Sequence, residues 1–433
     1  MSSVPATTTN AISTSASRCS TLLAGIANAP ILAALWALYL SFVHVGQVFY
    51  GYGWDTLLCE TGFLAIFLAP AWRPNLSSPR EPPPFVVIVL LRWLAFRIMF
   101  GAGLIKLRGD ECWTELRCLD FHYETQPNPG PLSALFHFAP AWTRTAGVFF
   151  NHLAELIAPF GVFGPRRVRL VAGIVIVTFQ SILILSGNLS FLNWLTLLIA
   201  LACFDDGVFV RLMPARYRVR LLSLRRDAVA PSRARRMTLL GLAIGIGALS
   251  LNPVVNLLSS RQLMNASFEP FNLVNTYGAF GSVSRERHEV VIEGTSGNAD
   301  DPAAVWREYE FPCKPGDVRR RPCLITPYHY RLDWQMWFAG LSNFERQPWI
   351  VHLAYLLLRG EPTLKSQLAF DPFPKRPPRF VRARLYHYTF APLGERGVHW
   401  HRQPIGEYLL PLSLEHSEFR RFLETYGWLA PGR

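Results

Sequence analysis

The sequence predicts an α-helical multi-pass membrane bundle of about seven spans, followed by an α+β outer domain. Three observations lead there. Half of the 433 residues are hydrophobic and 13% are aromatic, while 17% are charged, against about a quarter in average soluble proteins. Apolar runs that approach the ~20 residues needed to cross a bilayer are confined to the region before residue 259. Beyond it, short β-rich runs alternate with amphipathic helical ones. A chain of this length accommodates a membrane part and a separate folded part.

Residues 1–29 are rich in Ser, Thr and Ala with the single Arg18, and no cleavable signal of the usual form is evident. They read as a disordered tail, with a transit peptide as the alternative. The candidate spans that follow are 31–50, 57–72, 85–107, 142–163, 168–186, 189–204 and 237–258. The second is short, and the fourth contains Arg144, Asn151, His152 and Glu155.

Loop charge supplies an independent check, because Lys and Arg gather in short cytoplasmic loops. With the N-terminus inside, the inner segments 1–30, 73–84, 164–167 and 205–236 carry Arg18, then Arg73 and Arg80, then Arg166 and Arg167, and finally nine arginines. The outer segments 51–56, 108–141 and 187–188 carry only Arg108 and Arg117 among several acids. The bias places residues 259–433 on the outer, luminal side. The arginines behind the +13 net charge are concentrated in loops. The basic loop 205–236 has little aromatic content beyond Tyr217 and lies between two spans, so it reads as a topology determinant, and no nucleic-acid partner is expected.

The domain plan is therefore a tail (1–29), a transmembrane domain (30–258) with luminal loop 108–141 and cytoplasmic loop 205–236, and a C-terminal α+β domain (259–433). Within the last, strands are predicted over 288–295, 305–313 and 379–390, and helices over 331–344 and 347–360. The second helix is interrupted by His352 and Arg359, which favours a core helix over an eighth span. Proline-rich stretches 312–327 and 371–378 read as connectors.

The seven cysteines divide by place. Cys19 lies in the tail, and Cys59 and Cys203 lie in or near spans. The other four form two local pairs on the side assigned as outer, Cys112 with Cys118 and Cys313 with Cys323. Disulfides persist in oxidising compartments, so they are the favoured assignment. Zinc ligation with His122 or His329 is the competing one, but the tetrahedral N/S set usually announces itself by a C-x-x-C spacing that is missing here. N-x-S/T sequons stand at Asn75, Asn188 and Asn265. The first falls on the cytoplasmic side and the second against the bilayer, which leaves Asn265 as the glycosylation candidate.

The segments GAGLIKLRGDECWTELRCLDFHYETQPNPGP, NTYGAFGSVSRERHEVVIEGT, WREYEFPCKPGDVRRRPCLITPYHYRLDWQMWFAGL and RPPRFVRARLYHYTF resemble the lipase maturation factor family, from about residue 30 to the end. The resemblance implies a multi-pass protein of the endoplasmic reticulum membrane that helps secreted lipases reach an active folded dimer, with its lumen-facing regions engaging the client. A bacterial homologue, placed in the inner membrane, is the alternative setting.

Three places carry candidate chemistry. Cys112 and Cys118 would brace a luminal turn, with Trp113 and Tyr123 at the membrane interface. Their spacing is unlike that of a redox-active pair. In NHLAEL, His152 and Glu155 are three residues apart and share a helix face. At membrane depth such groups are costly, which suggests either a packing contact or a chemical site, with Arg144, His44, Gln47, Glu60 and Gln180 as possible partners. This region also resembles, weakly, the membrane half of vitamin K-dependent carboxylases, which makes a membrane-embedded enzyme or redox protein the alternative function. In the outer domain Tyr328, Tyr330, Arg331, Trp334 and Trp337 cluster, and these residue types anchor interfaces, so they are the client-binding candidates. No hydrolase, zincin or P-loop signature occurs. The expectation is a non-enzyme with no cofactor.

Overall fold

The computed structural model describes residues 28–71, 81–215, 218 and 230–429. The expectations for the first 27 residues, for Asn75 and for residues 216–217 and 219–229 of the basic loop 205–236 lie outside them. The chain divides into two compact units. One comprises residues up to Leu116, Thr145–Leu183 and Phe191–Ser282, and the other comprises Arg117–Arg144, Ile184–Ser190 and Val283–Arg433.

The first unit is helical. Three of its helices are long and apolar enough to cross a membrane: Phe85–Gly109, Arg166–Ser186 and Arg233–Leu258. The remaining four candidate stretches fold as shorter pieces. Two are the helices Ala29–Val45 and Gly53–Leu68. A third is Leu192–Ala200, continued by one 3-10 turn to Cys203. Residues 142–163 fold as Ala141–His152, a π-helical turn over Leu153–Ile157, and Ala158–Gly161.

The helix Phe85–Gly109 starts directly after three prolines, where the ring-fixed backbone sets the entry but supplies no amide donors. It is the most enclosed of the three, with half of its apolar window buried against 28% and 22% for the others. It buries Arg92, Arg97 and Lys106 along with Leu91 and Leu94, so its sequence is apolar but its neighbours must answer three cations. Arg92 donates to the Ala202 carbonyl at 2.8 Å. The core around it includes Leu57, Leu64, Leu94, Met99, Ile176 and Ile199.

The second unit is built on a four-stranded antiparallel sheet in the order β2-β1-β3-β4, with β1 over Arg287–Thr295, β2 over Arg307–Glu308, β3 over Phe380–Phe390 and β4 over Trp400–Leu412. β1 is buried almost throughout, as befits a central strand. The helix Arg331–Gly340 lies against it. A Cβ on Gly340 would collide with the His288 carbonyl, so glycine there permits the close approach. The helix Trp349–Leu358 buries seven of its ten residues. Of the predicted 305–313 strand, Arg307–Glu308 pairs with β1 and Glu310 makes an isolated antiparallel bridge to Phe370.

Candidate functional site

Within the first unit, Lys106 and Glu155 form a buried pair. Lys106 Nζ lies 2.7 Å from both Glu155 carboxylate oxygens and donates to Asn151 Oδ1 at 2.8 Å, while Asn151 Nδ2 donates to Glu155 at 3.0 Å. The ammonium also sits 4.8 Å from the Trp113 ring centroid, a cation–π distance. The π-helical turn carries Glu155 itself, and such turns re-aim side chains out of the regular helical spacing. His152 does not join the cluster: its Nε2 meets the Trp113 carbonyl at 3.0 Å. Nor do the partners expected from the sequence. Arg144 pairs with Asp120, Glu60 with Arg97 and Gln180 with Asn193, while His44 and Gln47 are exposed.

A second buried network ties the chain after the last long helix back onto the helices. Glu60 forms an ion pair with Arg97 and accepts from Tyr277 Oη at 2.7 Å and from the Asn275 amide at 3.1 Å. Arg97 Nη1 also donates to the Asn275 carbonyl at 2.7 Å. Trp113 Nε1 donates to the Phe280 carbonyl at 2.9 Å. The strap 272–281 is thus held by side chains that are themselves unable to stand alone in an apolar interior. Arg97 and Lys106 do not stand out in the sequence, because the run 85–107 is apolar enough overall to read as a span despite them.

The cysteines of both outer pairs are disulfide-bonded. Cys59 and Cys203 are free and buried. In the second unit the Cys313–Cys323 loop is pinned at both ends. Asp333 accepts from the Cys313 and Lys314 amides at 2.6 and 2.8 Å. Asn188, fully buried, donates to the Cys323 carbonyl at 2.8 Å and accepts from the Ile325 and Thr326 amides at 3.0 and 3.2 Å. Burial pushes the Asp333 carboxyl up to about 6. It pushes the imidazole of His329, bonded to Ser190 Oγ at 2.9 Å, down to about 3. Nearby, Glu289 is enclosed between Arg287 at 2.6 Å and Lys314 at 2.9 Å.

The five client-contact candidates separate by exposure. Tyr328 is 60% exposed, and Tyr330, Arg331 and Trp337 are half-buried. Trp334 is a core side chain, 5% exposed, because the helix turns that face toward the sheet. Trp337 stacks edge-on to it and donates Nε1 to the Thr125 carbonyl at 2.9 Å. Trp113 and Tyr123, expected at a membrane interface, are also buried, at 2% and 7%. Asn265 is half-buried with a positive φ, and its Oδ1 accepts from the Gly278 amide at 3.2 Å.

Family models match in two blocks, a lipase maturation factor transmembrane domain over residues 5–211 and a lipase maturation factor C-terminal domain over 273–411. Human Lipase maturation factor 1 is 48% identical over 427 residues, covering 95% of this chain and 75% of that protein. The chain belongs to the lipase maturation factor family. Other members it resembles include mouse Lipase maturation factor 1, 48% identical with 95% and 74% covered, and rat Lipase maturation factor 2, 30% identical with 91% and 71% covered. No solved structure matches the chain. Within this family member both buried charge networks fall on helices or on the strap that follows them, and the disulfide loop Cys313–Cys323 falls inside the C-terminal match.

Proposed function

We propose that this chain is a membrane-anchored maturation factor that assists folding and dimer assembly of secreted lipases, or similar secretory clients, in the endoplasmic reticulum membrane. The observation that carries this reading is the 48% identity to human Lipase maturation factor 1 along 95% of the chain. The relatives are named for maturation, and on that ground we read the chain as a non-enzyme. The seven-span topology, with the C-terminal part in the lumen, draws support from the loop-charge bias and from the Cys313–Cys323 disulfide, which needs an oxidising compartment to persist. In this mechanism the C-terminal unit covers apolar surface on a partly folded client until dimer contacts replace it, which limits aggregation. Tyr328, with Tyr330, Arg331 and Trp337 beside it, offers the aromatic and cationic contacts, and Trp334 braces their helix. The alternative, a membrane-embedded enzyme or redox protein using His152 and Glu155, has less support, since Glu155 is bonded to Lys106 and Asn151 and His152 to the Trp113 carbonyl.

The test is complementation. In cells lacking their own maturation factor, expression of the full chain restores secreted lipase activity. An abundant, membrane-inserted chain that leaves the lipase inactive overturns the proposal. The topology has its own check: a thiol probe confined to the cytosolic face of intact, reduced vesicles should not label Cys323.

A further inference from the structure

Residues 131–142, PLSALFHFAPAW, carry an inverted surface in the second unit. Leu132, Leu135, Phe138 and Trp142 are 38%, 53%, 41% and 73% exposed, and the other exposed positions of the stretch are Pro131, Pro140 and Ala141. Every exposed side chain is apolar. The polar groups point inward: Ser133 is fully buried, its Oγ accepting from the Gly130 amide at 2.7 Å and donating to the Ser186 carbonyl at 2.6 Å. His137 faces Glu124 at 3.8 Å. Arg144, the next charge along, is turned back onto Asp120 at 2.6 Å and the His137 carbonyl at 3.2 Å. A short helix in water shows the opposite arrangement, and a contiguous exposed apolar patch marks an interaction surface.

We infer that residues 131–142 lie in the membrane interface, with Leu132, Leu135 and Phe138 inserted among the outer ends of the acyl chains and Trp142 at headgroup depth. The occupant is lipid rather than protein for three reasons. The exposed side chains of the stretch are all apolar and offer none of the hydrogen-bonding groups that a specific protein interface carries. Tryptophan beside an apolar run is the side chain favoured at headgroup depth. The stretch also lies inside the matched transmembrane domain and runs directly into the helix Ala141–His152. Burial of this modest apolar face is the driving force for a helix that lies on a bilayer without crossing it. It would hold the segment Arg117–Arg144 of the second unit at a fixed depth. The inference rests on the membrane reading of the chain and not on the lipase client.

The experiment uses the full chain in phosphatidylcholine vesicles. Leu135→Cys and Phe138→Cys are labelled with a polarity-sensitive fluorophore, with Arg396→Cys as an exposed reference and Ile174→Cys as a reporter on the helix Arg166–Ser186. The expected result is a blue-shifted emission at positions 135 and 138 that loses most of its intensity to a nitroxide near the headgroup end of the lipid chains and little to aqueous iodide. Quenching by iodide, as at position 396, overturns the inference, and shielding from both quenchers overturns it in favour of a protein partner or a second copy. If position 174 also fails to meet the lipid nitroxides, the membrane reading itself fails, so the two failures are distinguishable. A Leu135→Asp/Phe138→Asp chain labelled at Trp142→Cys should shift toward iodide, which separates lipid contact from misfolding when position 174 is unchanged.

Discussion

Lys106 and Glu155 meet at 2.7 Å with both side chains only 5% exposed. Together with the Lys106–Asn151 hydrogen bond, the pair ties the helix Phe85–Gly109 to the π-helical turn and the helix before it. Removing one partner leaves an uncompensated charge in an apolar interior, whereas replacing both removes the problem. Glu155→Ala or Lys106→Met should therefore lower stability by about 3–5 kcal/mol, while the double change Lys106→Met/Glu155→Leu should recover most of the loss. His152→Ala, which gives up one bond to a carbonyl, should cost about 1 kcal/mol. Detergent thermal shifts and cellular abundance read the series. If the double variant is stable and abundant yet abolishes lipase maturation, the pair has a chemical role.

How much of this was legible in the sequence follows from what each residue answers to. The three long helices announced themselves because twenty apolar residues in a row have few other destinations. β1 and β3 were visible through β-branched and aromatic runs. β4 was missed: Pro404, Gly406 and Pro411 break the alternation, and a strand tolerates them only because it sits at the sheet edge. His152 and Glu155 stand three residues apart, but the π-helical turn Leu153–Ile157 breaks the shared face that regular spacing implies. Their partners Trp113 and Lys106 are about forty residues or more away in sequence, and no local pattern encodes that. Asn188 was judged by its distance from a span, while its role is set by backbone groups of residues 323–326.

Glycines on the helix Phe85–Gly109 admit the strap. A Cβ on Gly101 would lie 2.5 Å from the Tyr277 carbonyl oxygen, and one on Gly109 would collide with the Gly281 carbonyl. Both obstacles are backbone and cannot swing aside. Gly101→Ala and Gly109→Ala should each destabilise by roughly 1–3 kcal/mol. Gly241 and Gly245, with nothing within 4 Å, provide the contrast: alanine there should be neutral or stabilising by about 0.5–1 kcal/mol through helix propensity. Thermal melts of the four variants check the ordering.

Two buried groups of the second unit pull its acid stability in opposite directions. His329, ordinarily near 6.5, is held at about 3. The unfolded chain therefore takes up a proton first, and stability falls as pH drops from 6.5 towards 3. Asp333, ordinarily near 3.8, is raised to about 6, so the folded state takes up its proton first, and stability rises as pH drops from 6 towards 3.8. Each slope approaches about 1.4 kcal/mol per pH unit, and in the overlap they nearly cancel. His329→Gln should leave the Asp333 effect exposed, so that the variant gains stability between pH 6 and 4. Asp333→Asn should do the reverse. Urea melts followed by tryptophan fluorescence across that range test both signs, and parallel pH profiles for the two variants would refute the assignment.

The loop between Cys313 and Cys323 is held by more than its disulfide. The closed loop is short, with a sequence separation of 10, so the covalent bond contributes about 2–4 kcal/mol, mainly by restricting the unfolded chain. Asn188 acts differently, since it satisfies three backbone groups of residues 323–326 from a buried position. Asn188→Ala leaves those groups without their partner and should cost about 1–3 kcal/mol in the folded state. Asn188→Asp, which cannot donate to the Cys323 carbonyl, should also destabilise. The same burial keeps the Asn188 sequon out of reach of modifying enzymes once the chain has folded. Two measurements separate the contributions. Limited proteolysis of Cys313→Ser/Cys323→Ser should show a loop still protected at low temperature, because Asp333 and Asn188 remain in place. Asn188→Ala with the disulfide intact should expose the arginine-rich stretch Arg319–Arg321 to trypsin. Protection lost equally in both variants would mean that the disulfide and the asparagine act as one cooperative unit.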